Sequence, residues 1–187
     1  YINEWLLDML TDYDISVFKK EKPPGDFTFD TMQEIKSLCK IPLNKKFAEE
    51  FDNIPLAFKK TAEKENIQNY DETLSQILIN ESYPKLIELK KYFNRPRPKD
   101  IAKKMNIDLP NHELKSMNTP SYPSGHSAQG ILIGLFLSDK YPQSRGAFLQ
   151  TAKNISDSRN IARAHYKSDS DLGKKIGASM YNHIKKK

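Results

Sequence analysis

The sequence predicts an all-α chain, a single-domain helical bundle over residues 1–187. Three observations carry that expectation. Apolar residues return at intervals of three and four along most of the chain, few stretches alternate with period two, and β-branched clusters are scarce. With 187 residues, 37% of them hydrophobic and 29% charged, the chain is long enough to bury a core and too apolar for disorder.

The elements follow in order. Ile2, Trp5, Leu6, Met9 and Leu10 have the spacing of a short amphipathic helix over 2–12. Lys22-Pro23-Pro24-Gly25 reads as a loop, after which Asp26 or Asp30 would cap a helix reaching about Cys39. Phe47, Phe51, Ile54 and Phe58 mark one side of a helix from about Asn44 to Asn66, with Pro55 bending or interrupting it. Asp71 would cap a segment running to Phe93, with Pro84 inside it as a kink. From Arg95 to Tyr122 the chain reads as an irregular, proline-rich loop, and a long loop in a compact domain is usually functional. Helical spacing returns at 125–139 and at about 143–162. Ser168 to Asp171 then caps a last helix carrying Leu172, Ile176, Met180 and Ile184 on its inner stripe. The helices before about residue 80 form one part, and a motif-bearing core spans about 85–183.

No apolar run approaches the length of a membrane span, which predicts a soluble protein. The net charge of +6 permits anionic partners, although dispersed lysines and the Lys185-Lys186-Lys187 tail account for much of it. Cys39 is the sole cysteine, which excludes an internal disulfide and a cysteine metal cluster. Tyr1 opens the chain without a basic-then-apolar leader, so any signal peptide is expected to have been removed or never present. Phe47, Phe51, Phe58, Tyr83 and Phe136 fit core packing better than base stacking, so nucleic acid is not an expected partner.

Three short motifs carry chemistry, and each alone has an ordinary reading. Tyr122-Pro123-Ser124-Gly125-His126 opens a helix. Free N–H groups and the positive end of the helix dipole attract anions there, though a plain N-cap turn would look the same. Gly125 lets a ligand oxygen approach its N–H, Ser124 offers a hydroxyl, and His126 an imidazole that titrates near neutrality. Lys90, six residues and then Arg97-Pro98 place a point charge near a helix end and a planar fork on a proline-stiffened loop. A solvated basic loop would share that pattern. Ser158-Arg159, five residues, His165, three residues and Asp169 set an imidazole within reach of a carboxylate able to fix its tautomer. A structural His–Asp pair has the same spacing.

Taken together and in order, these motifs resemble the three-part signature of the type 2 phosphatidic acid phosphatase superfamily, closest to its soluble bacterial class A non-specific acid phosphatases. Vanadium haloperoxidases belong to the same superfamily. Eleven specified positions match, from Lys90 to Asp169, and Ser121-Tyr122 and Leu137 to Pro142 add to the likeness. It covers roughly residues 85–183. The resemblance implies the helical bundle of that superfamily and a metal-independent phosphomonoesterase acting on small organic phosphates. His165 would be the nucleophile that forms a phosphohistidine, oriented by Asp169. His126 would protonate the leaving alkoxide and later activate water, while Lys90, Arg97, Ser124, Gly125 and Arg159 bind the phosphate. No cofactor or metal is implied; vanadate would act as an inhibitor or, in the alternative reading as a haloperoxidase, as the cofactor. A second alternative is a non-catalytic phosphate-binding module. The class A analogy further implies a periplasmic or secreted location, with the cytoplasm not excluded, and association into a homo-oligomer.

The chain departs from the family pattern at Arg163, where a small residue is usual; the side chain is expected to face solvent, the alternative being added positive charge at the pocket rim. It departs again at Lys99-Asp100, where an aromatic residue is common, and slightly at Ser127, where threonine is. His112, in the long loop, and His183, near the tail, are not expected to be catalytic.

Overall fold

The computed structural model describes residues 7–187. Among these are eight α-helices and no strand: α1 (Phe29–Cys39), α2 (Lys45–Glu50), α3 (Ile54–Lys64), α4 (Thr73–Phe93), α5 (Pro98–Lys104), α6 (Gly125–Lys140), α7 (Arg145–Ile161) and α8 (Lys167–Lys185). Short 3₁₀ turns cover Ile15–Lys20 and Pro142–Ser144. No helix of the described residues is long and apolar enough to cross a membrane.

Several elements differ from expectation for identifiable reasons. The helix over 2–12 falls partly on residues 1–6, outside the described residues, and 7–12 form turns that nevertheless bury Leu10. Thr28, not Asp26 or Asp30, caps α1: its Oγ1 accepts from the Thr31 N–H at 3.3 Å and donates to the Gly25 carbonyl at 2.9 Å. The helix expected over 44–66 divides into α2 and α3, each with its own asparagine cap, Asn44 onto the Phe47 N–H and Asn53 onto the Leu56 N–H. Pro55 therefore opens α3, where a missing N–H costs nothing, instead of bending a longer helix. The proline-rich loop contains a helix, α5, which Pro98 starts in the same way. Asp71 does accept from the Thr73 N–H at 3.1 Å, and α4 runs from Thr73 through Pro84 to Phe93, where Asn94 closes it in the left-handed conformation (φ 48°).

The core is built around α6. Ala128, Leu132, Ile133 and Leu137 have no exposed surface, and the helix lies between α7 and α8. Both neighbours approach closely through glycine. A Cβ on Gly134 would sit 3.0 Å from the Ala152 Cβ of α7. On α8, Cβ atoms at Gly173 and Gly177 would lie 2.4 Å from the Ser124 carbonyl and 2.2 Å from that of Ala128, distances no side chain occupies. The N-terminal half of α8 is thereby pressed against the start of α6, and the Ser124 N–H bonds the Asp169 carbonyl at 3.0 Å. Two smaller apolar clusters attach the N-terminal helices. Ile35 and Leu38 of α1 pack with Ile101, Leu109 and Tyr166, and Ala48 of α2 packs with Leu114, Ala162 and Ala164. Of the aromatic residues expected in the core, Phe58 and Phe136 are buried, and Phe47 and Phe51 are half-buried and pack on each other. Tyr83 is 54% exposed, a correction, because it stands on the outer wall of the cleft described next.

Candidate active site

Lys90, Arg97, Gly125, His126, Arg159 and His165 line one cleft of about 170 Å³, so three distant motifs meet. Each arrives on a defined element. Lys90 is in the last turn of α4, and Arg97 follows on the loop that starts α5. Gly125 and His126 form the first turn of α6, where the Gly125 Cα faces the Lys90 side chain. Arg159 is in the last turn of α7, which ends with the Ala164 N–H on the Arg159 carbonyl and the Arg163 N–H on that of Asn160. This paired closure turns the chain sharply and delivers His165 to the same cleft. Ser124 is fully buried and does not line the cleft; its Oγ caps α6 by accepting from the Ser127 N–H at 3.2 Å. Asp169 is fully buried behind His165.

The hydrogen bonds settle the His165 tautomer. A guanidinium donates and never accepts, and Arg97 Nη1 lies 2.9 Å from His165 Nε2, so Nε2 carries the lone pair. The proton is then on Nδ1, 3.0 Å from Asp169 Oδ2. For His126, Nε2 is 2.7 Å from the Asp52 carbonyl, which can only accept, so that proton sits on Nε2 and the lone pair on Nδ1.

The three cations are held mostly by neutral oxygens. Lys90 Nζ donates to the Pro120 carbonyl at 2.8 Å, and Arg97 donates to the carbonyls of Thr119 (2.8 Å) and Ala164 (3.0 Å). Arg159 donates to Ser116 Oγ and to Asp52 Oδ1, both at 2.9 Å, while its buried Nε has no partner among the described residues. Positive charge therefore accumulates. Burial, with the neighbouring Arg97, pulls the Lys90 ammonium down to about 7. Burial and Arg159 lower Arg97 to about 10. Both imidazoles are pushed well below their ordinary value, chiefly by burial and then by the adjacent cations, Arg159 for His126 and Arg97 for His165. Both rings are neutral at pH 7. Burial raises the Asp169 carboxyl to about 6 against the opposing pull of Arg95, leaving it ionised at neutral pH.

Sequence reasoning missed four contributors. Asp52, between α2 and α3, touches both Arg159 and His126. Ser116 bridges Arg159 to Asp52. Ser121 Oγ donates to Asp169 Oδ2, and Arg95 Nη1 donates to Asp169 Oδ1 at 2.8 Å. Arg95 was legible only as part of the Arg-Pro-Arg-Pro run and Ser121 only as part of the likeness beside the central motif, with no role given to either; Asp52 and Ser116 lie outside any motif.

Arg163 corrects the expectation of a solvent-facing side chain. It is 7% exposed, takes the left-handed conformation usual for glycine after a helix (φ 58°), and donates to the carbonyls of Pro110, Cys39 and Ile41. It ties the α7 terminus to the long loop and to the end of α1. Lys99 pairs with Glu113 on the surface, and Asp100 lies in the first turn of α5, so this departure builds a helix start beside the cleft. His112 pairs with Glu49 at 3.4 Å and His183 with Asp12 at 3.0 Å; neither lines the cleft. Among the described residues, no three His, Cys, Asp or Glu side chains gather in a way that could hold a metal ion.

Comparison with known proteins agrees with the motifs. The model of the PAP2 superfamily matches residues 73–186. Over 105 residues the chain is 33% identical to a non-specific acid phosphatase of Salmonella typhimurium and 32% identical to one of Salmonella typhi. Those matches cover 56% of this chain and 42% of each relative, so the likeness spans less than half the length of either relative. With all three motifs inside the matched region and the helical fold in place, the chain belongs to the PAP2 superfamily.

Proposed function

We propose that the chain is a phosphomonoesterase that hydrolyses small organic phosphates through a phosphohistidine on His165. One observation carries this reading: a neutral imidazole with its Nε2 lone pair at a cationic cleft and its Nδ1–H on a buried carboxylate. That is the protonation state a nucleophilic histidine needs. A phosphate dianion would be met by Lys90, Arg97, Arg159 and the Gly125 N–H at the α6 N-terminus. Ser124 would reach the anion through its hydroxyl proton, since its oxygen already accepts from the Ser127 N–H. Cationic groups fixed before reaction stabilise charge spread over the transferring phosphoryl oxygens, usually the largest catalytic contribution.

Attack by His165 Nε2 on phosphorus needs its lone pair to be released by the Arg97 Nη1–H, which would turn to the bound phosphate. The attack puts positive charge on the ring, which the Asp169 carboxylate offsets through Nδ1. His126 starts neutral because burial disfavours its charged form and the cations around it add repulsion. A bound dianion cancels that repulsion and raises its affinity for a proton. With Nε2–H held on the Asp52 carbonyl, Nδ1 takes up that proton and passes it to the leaving alkoxide, and the same nitrogen later draws one from water. The two relatives, both non-specific acid phosphatases, support the same reaction class.

The test is hydrolysis of a chromogenic phosphomonoester with vanadate or with a metal chelator present. Vanadate, able to take the five-coordinate geometry of phosphoryl transfer, is expected to inhibit, and the chelator to leave the rate unchanged. Activity lost in chelator and restored by a divalent ion would contradict the proposal.

A further inference from the structure

The carboxylate behind His165 is itself part of a longer chain. Arg95, with a side chain 1% exposed, donates from Nη1 to Asp169 Oδ1 and from Nη2 to Glu34 Oε2 at 3.1 Å. Its guanidinium carbon lies 3.8 Å over the Tyr166 ring, which fixes its plane. Glu34, on α1, is itself held: its two oxygens accept from the Ser168 N–H and the Ser168 hydroxyl, each at 2.8 Å. Glu34, Arg95, Asp169 and His165 thus form one unbroken series of alternating acceptors and donors.

Charge gives the series a consequence. A guanidinium 2.8 Å from Asp169 competes with the imidazole for the same carboxylate. Paired with Asp169 alone, Arg95 would weaken the support available to the positive ring that forms when Nε2 bonds phosphorus. Glu34 takes the other edge of the guanidinium and relieves that competition. Resting on the phosphohistidine reading above, we infer that Glu34 is a positioning residue for the His165 nucleophile, acting through Arg95 and Asp169. Electrostatic support for the nucleophile then begins on α1, outside the stretch matched by the family model.

Other groups face Asp169. Tyr122 and Tyr166 are pushed up by burial, to about 12 for Tyr122, and stay neutral through the working range. Lys90 and Arg97 act on Asp169 from α4 and the loop after it, and Lys90, near 7, loses its charge as pH rises. Lys90 therefore shapes the alkaline limb of a rate profile. The acid limb belongs to Asp169 and His165, because lowering the pH protonates both. A negative charge nearby raises both pKa values, so removing it shifts the acid limb to lower pH.

The decisive variant is Glu34→Gln, which keeps length and an acceptor for Ser168 but removes the charge. The wild-type enzyme is first shown to turn over a chromogenic phosphomonoester; no turnover would sink the phosphatase reading and this inference with it. In the variant, kcat is expected to fall about tenfold with KM within twofold, and the acid limb of kcat/KM to move down by half a pH unit or more. Unchanged kcat and pH profile in an active enzyme would overturn the inference while leaving the phosphatase reading intact. The same holds if the variant melts at a lower temperature but keeps the wild-type kcat per folded molecule and the wild-type acid limb, since Glu34 would then be only a strut between α1 and α8.

Discussion

Replacing His165 by alanine is expected to lower phosphomonoester turnover by about 10⁴-fold or more, with the helical fold retained. The size follows from the proposed role: if His165 is the attacking group, its loss removes the bond that would split the reaction into two steps, and water held by the remaining cations would be a poor substitute. Retention of the fold follows from the bonds that stay. Asp169 keeps Arg95, the Ser121 hydroxyl and the Tyr166 N–H, and Arg97 keeps the carbonyls of Thr119 and Ala164. Circular dichroism and a melting curve on the same sample check that the lost rate is chemical. Undiminished turnover in a folded variant would end the nucleophile assignment.

Asp169→Asn is expected to cost about 10²- to 10⁴-fold in kcat, and in stability as well. The reason is a count of donors. Oδ1 accepts from Arg95, and Oδ2 accepts from Ser121, from the Tyr166 N–H and from His165 Nδ1–H. An amide has one oxygen, so its NH₂ must face donors on one side. If it faces His165, the ring is driven to the other tautomer and Nε2 loses its lone pair. If it faces Arg95, a buried guanidinium meets an NH₂ in place of one of its two carboxylates. The wild-type carboxyl, near 6, is ionised at neutral pH and becomes protonated as pH falls through that value. The wild-type rate should therefore decline on the acid side, and the asparagine variant should lose that part of the pH dependence. A variant with wild-type kcat and an unchanged acid limb would contradict the role given to Asp169.

Much of this was legible in the sequence. Helical periodicity located α4, α6, α7 and α8, because each buries a stripe of large apolar residues against a neighbour. The three motifs located their cations and imidazoles because glycine, proline and charged residues at fixed spacing leave few alternatives. What stayed hidden depends on contacts across long stretches of chain. Asp52 is one of many surface-type acids until α2 and α3 bring it onto Arg159, and Glu34 has no signature on its amphipathic helix. Arg163 looked like a solvated charge because spacing cannot show three carbonyls converging on one guanidinium. The motif did not show that the Ser124 oxygen also caps α6 from a buried position. Pro55 looked like a break and Pro98 like part of a stiffened loop; each starts a helix, a distinction made by the residues just before it and by what the helix packs against.

The most direct measurement is identification of the phosphorylated residue. The enzyme is mixed with a radiolabelled phosphomonoester, quenched in alkali within the first turnover, and mapped by mass spectrometry. One phosphate on His165, stable to base, labile to acid and missing from His165→Ala, is the expected result. Label on Ser124 or on any residue other than His165 would contradict the account.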